Sequence, residues 1–79
     1  METFNMFIMG KKEGQRIFRV LRMSDKRQVS NLLYATIFKS DKLEQLKSRL
    51  DNLAKENPDW QFKIVKVGTS KILYKTEQL

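Results

Sequence analysis

Five basic side chains, Lys11, Lys12, Arg16, Arg19 and Arg22, are the residues whose types and spacing most suggest chemistry. If 16–23 is a strand, Arg16 and Arg22 share one face with Phe18 and Val20, while Arg19 takes the other face with Ile17 and Leu21. Guanidinium groups interleaved with a ring on an exposed sheet suit a single-stranded nucleic acid, since cations hold phosphates and rings stack with bases. The same pattern also describes a plain solubilised strand, whose arginines lie over apolar neighbours and guard an edge. Lys11 and Lys12, between Gly10 and Gly14, read as an exposed hairpin tip; the Lys-Ser/Thr pair of a phosphate-binding P-loop is missing. A second basic group, Lys63, Lys66, Lys71 and Lys75, is more dispersed and matches lysines that keep sheet edges from aggregating.

Catalytic readings fare worse. The 79 residues include no Cys and no His, so disulfides, thiolate nucleophiles, imidazole bases and most zinc sites are excluded. The carboxylates Asp25, Asp41, Glu44, Asp51, Glu56 and Asp59 fall mostly on one helix and its ends, where capping and pairing along the helix account for them. No set of nucleophile, base and orienting group can be named, and the chain reads as non-enzymatic, with no cofactor and no metal. Charge is uneven: residues 1–39 hold eight basic and three acidic side chains, 40–59 four and five, and 60–79 four and one, for a net +7. The helix is therefore neutral to acidic and the strands are basic, which suits a polyanion or an acidic protein partner.

The elements that must position these groups follow from periodicity. Leu43, Leu46, Leu50 and Leu53 form one stripe of an amphipathic helix that starts at Ser40 or Asp41 and ends at Asn57-Pro58, because proline cannot continue the ladder. Upstream, 3–9 and 16–23 read as strands joined through a 10–14 loop with a glycine at each end. The stretch 24–31 reads as a loop or single helical turn, and 32–38 as a third strand by its aromatic and β-branched composition. After the helix, 60–67 is a strand with Trp60, Phe62 and Ile64 on the helix side, and 71–75 a last short strand beyond Gly68. Trp60 is expected to close the end of the core beneath the helix.

The expected fold is α+β: a small antiparallel or mixed sheet of about four to five strands, in the order β-β-β-α-β-(β), with one amphipathic helix on one face. One domain, 1–79, accounts for the chain, since so short a sequence supports one core. The longest apolar run, Met6-Phe7-Ile8-Met9, is far below the roughly 20 residues of a bilayer span, and the acidic start is unlike a secretory signal. A cytoplasmic protein with no membrane partner, monomeric or homodimeric, is expected.

Two stretches resemble a known group. Thr3-Phe4-Asn5-Met6-Phe7-Ile8, leading through Lys11-Lys12-Glu13-Gly14-Gln15-Arg16-Ile17-Phe18, and Ala35-Thr36-Ile37-Phe38-Lys39-Ser40, running into the helix, resemble small uncharacterised proteins from the early regions of temperate phages of Gram-positive bacteria. The resemblance spans about residues 3–67 and implies an accessory role in host takeover, replication or regulation; it carries over no site residue.

Two functions remain in view. In the first, Lys11, Lys12, Arg16, Arg19 and Arg22 form a basic sheet face that binds nucleic acid. In the second, the open face or an edge strand docks a protein partner and no nucleic acid is bound.

Overall fold

The computed structural model describes residues 3–69 and 71–76. Six strands form one antiparallel sheet: β1 (Asn5–Lys12), β2 (Arg19–Arg22), β3 (Arg27–Val29), β4 (Phe38–Lys39), β5 (Trp60–Lys66) and β6 (Ile72–Lys75). The order across the sheet is β3-β2-β1-β5-β6, with β4 pairing with the opening residues of β1. Among the described residues a single α-helix, α1 (Leu43–Glu56), covers one face, so the α+β class read from the sequence is the observed one. No helix among the described residues is long and apolar enough to cross a membrane.

The helix forms where its leucine stripe predicts. Leu46, Leu50 and Leu53 are buried against Met6 and Ile8 of β1, Phe62 and Ile64 of β5, and Leu21 of β2. Each such side chain, taken fully out of water, contributes roughly 1.5–3 kcal/mol, which fixes the helix on this face. Its C-terminus stops before Pro58, with the Asn57 backbone and side-chain N–H groups both donating to the Leu53 carbonyl, at 2.9 and 3.0 Å. The N-terminus departs from expectation: Ser40–Lys42 form a 3-10 turn, and neither Ser40 nor Asp41 caps α1. Ser40 Oγ instead accepts from the Phe4 backbone N–H at 3.3 Å, tying the helix entry to the start of β1.

Three other expectations change. β1 runs straight through Gly10 to Lys12, so the first connection is 13–18 and Gly10 is a buried strand residue. The strand expected over 32–38 is reduced to Phe38–Lys39, which pair with Met6 and Asn5. β2 already occupies the rest of that edge, leaving room for two residues, and Leu32–Tyr34 close a 3-10 turn whose Asn31 side chain accepts from Leu33 N–H at 2.9 Å. The third consecutive strand is β3, inside the stretch read as loop or helical turn; the Asp25 carboxylate shapes the turn into it by accepting from the Arg27 N–H, with Lys26 at φ 57°.

Directly opposed residues of an antiparallel ladder point to the same side. Met9 pairs with Val20 and Lys63, Lys63 with Lys75, Phe7 with Val65, and Lys11 with Gln61. These residues therefore share the face away from α1. Val65 is only 5% exposed although it lies outside the helix-side core, so this second face holds an apolar centre of its own.

Candidate functional site

Phe18, just before β2, lies beneath three lysine side chains. The Nζ atoms of Lys63, Lys75 and Lys11 lie 4.3, 5.5 and 5.7 Å from its ring centroid. All three lysines come from the open face, one each from β5, β6 and β1, so three strands aim them at one ring. Among the described residues none of the three forms an ion pair. The electron-rich ring face offsets some of their charge, each contact being worth about 0.5–1 kcal/mol at exposed sites. Like charges gathered around one ring still repel one another. An anion placed among them relieves that repulsion.

The five residues singled out from the sequence do not share one surface. Lys11 belongs to the cluster just described. Arg22 follows the open-face alternation of Val20, but its guanidinium is held by Asp25, through Nε at 3.1 Å and Nη2 at 2.5 Å. That hydrogen bond from Arg22, aided by the Arg27 backbone N–H and by the charges of both arginines, lowers the Asp25 carboxyl from 3.8 to about 2. The same bond raises the Arg22 guanidinium above its ordinary value. Lys12 pairs with Trp60 and Arg19 with Gly10, which places both on the helix-side alternation, where they remain exposed. Arg19 and Arg22 nevertheless line one open cleft with Gln15, Gln28 and Tyr34, and the Gln15 and Gln28 amides exchange hydrogen bonds at 3.0 and 2.7 Å. Arg16 sits in the 13–18 connection and is exposed, so it is not aligned with Arg22 on a strand.

Lys63 and Lys75, read from the sequence as edge protection, are the residues that join Lys11. The signal for Lys63 was available: Phe62 and Ile64 on the helix side force Lys63 to the opposite face. On the helix side, Trp60 stacks on Phe62 with centroids 5.8 Å apart and planes 7° from parallel, closing the core end as expected. No group of three or more His, Cys, Asp or Glu side chains that could hold a metal ion occurs among the described residues. Comparisons with protein-family models, curated proteins and solved structures find no match to this chain.

Proposed function

We propose that this is a small non-enzymatic protein that binds nucleic acid through the open, basic face of its sheet. One observation carries the reading: Lys11, Lys63 and Lys75 converge on Phe18 with no carboxylate paired to them among the described residues. Such a cluster meets a phosphate with three donors and gains from counterion release when it does so. Lys12 and Arg19 on the helix side and Arg16 in the 13–18 connection add only to the long-range attraction, within a net charge of +7. An accessory role inside a cell, of the kind implied by the resemblance to early-region phage proteins, fits a binder of this size.

The test is fluorescence anisotropy with labelled oligonucleotides at about 50 and 200 mM salt. Binding is expected to weaken steeply with salt, and to fall sharply when Lys11, Lys63 and Lys75 are all changed to Gln in a protein that keeps its circular dichroism spectrum. Arg16→Ala with Arg19→Ala is expected to weaken it far less. Undiminished binding by the triple lysine variant overturns the proposal.

A second reading, docking of a protein partner, is favoured by Leu33, Tyr34 and Ile37, which are 85%, 60% and 45% exposed on one short stretch. It expects partner capture to depend on Leu33 and Ile37 and to survive loss of the lysine cluster.

A further inference from the structure

Resting on the nucleic-acid reading, we infer that the open face takes a single strand, with the lysine cluster seating a phosphate and Phe7 receiving a base. The arrangement along the strands supports this. Open-face residues of β1 run in the order Asn5, Phe7, Met9, Lys11, and the lysines occupy the Lys11 end. The next row toward the other end is Phe7, Val65 and Ile72, two residues away, roughly 7 Å along a strand. That distance is close to one nucleotide of an extended single strand. Phe7 is half-buried and Ile72 is 48% exposed, so the row is an accessible apolar shelf floored by buried Val65. Beyond it Lys39, opposite Asn5, supplies an exposed cation for the continuing backbone.

Phe18 itself is a poor stacking platform, because Lys63 Nζ already sits 4.3 Å over its ring. Its part is to hold the ammonium groups in place, which leaves half-buried Phe7 as the other ring of the face. A duplex presents phosphates with its bases stacked away inside, and laying it on this face would bury the Phe7 and Ile72 shelf under charged backbone. A single strand presents both phosphates and base faces, matching cations beside an apolar shelf.

The experiment compares a 20-mer of thymidines, a 20-mer duplex and a 20-mer abasic backbone on the unaltered protein at about 100 mM salt. The thymidine strand is expected to bind at least tenfold tighter than either of the others. Phe7→Leu, with its fold checked by circular dichroism, is expected to weaken only the thymidine strand, by about 5- to 150-fold for one stacked base. Equal or tighter binding of the duplex or the abasic strand overturns the single-strand inference and leaves the nucleic-acid reading standing. Failure of all three to bind at 50 mM salt overturns that reading as well, and assigns the face to a protein partner.

Discussion

Gly10 occupies a strand position at which the two usual consequences of adding a methyl group oppose each other. Its backbone is not in the left-handed region, so alanine fits without strain, and Gly→Ala there removes unfolded-chain entropy worth about 0.4–1 kcal/mol of stability. An added Cβ, however, would stand 2.7 Å from Leu21 Cδ1 and 3.2 Å from both Leu21 Cγ and Trp60 Cζ3. Leu21 is only 1% exposed, but it borders a cavity of about 160 Å³ shared with Met23, Leu53, Trp60 and Phe62, so its end can give part of the way. Overpacking of this kind costs about 1–3 kcal/mol, and the net effect is a loss of up to about 2.5 kcal/mol. For a domain of this size that lowers the midpoint of thermal unfolding by up to about 15 °C, read by circular dichroism. Leu21→Val removes the colliding methyl group, and the penalty of Gly10→Ala is expected to shrink in that background. A raised midpoint for Gly10→Ala alone, or a penalty that does not shrink in the Leu21→Val background, would refute the close packing of β1, β2 and Trp60 described above.

Leu50→Ala, at a fully buried position of α1, is expected to cost about 2–5 kcal/mol in urea or thermal unfolding, enough to leave much of so small a protein unfolded. Thr76 is 3% exposed and its Oγ both accepts from the Phe62 N–H at 3.0 Å and donates to the Phe62 carbonyl at 3.2 Å. Thr76→Val keeps the shape but strands a buried N–H, so a loss of about 1–3 kcal/mol and faster exchange of the Phe62 amide are expected. Asp25 should titrate near pH 2 by carboxyl NMR, rather than at its ordinary 3.8, and Arg22→Gln should bring it back toward that value. Because the folded-state value is depressed, the turn's contribution to stability is complete above about pH 4 and is lost as pH falls toward 2; a midpoint near 3.8 in the unaltered protein contradicts the pairing.

Local patterns in the chain were legible where they reported on one element at a time. The stripe of Leu43, Leu46, Leu50 and Leu53 and the stop at Pro58 specify α1, and the alternation of Phe62 and Ile64 with Lys63 and Val65 specifies which side of β5 meets it. The stretch 32–38 misleads because β2 already fills the rest of the β1 edge on which Phe38–Lys39 pair, which overrules its strand-forming composition. Gly10 misleads because a glycine near Lys11-Lys12 fits a turn as well as a close approach between side chains, and only the neighbouring Leu21 and Trp60 decide. The lysine cluster needed the pairing of β1 with β5, which joins residues more than fifty positions apart and leaves no local trace. Spacing therefore exposed Arg16, Arg19 and Arg22, while the sheet brought Lys11, Lys63 and Lys75 together.

The salt dependence of single-strand binding tests the central claim most directly. The slope of log K against log salt counts phosphates neutralised, at about 0.7 per contact on a single strand. If Lys11, Lys63 and Lys75 together hold one phosphate, changing all three to Gln should lower the slope by about 0.7 as the affinity falls. An unchanged slope in a folded triple variant would contradict the account and place the binding surface elsewhere.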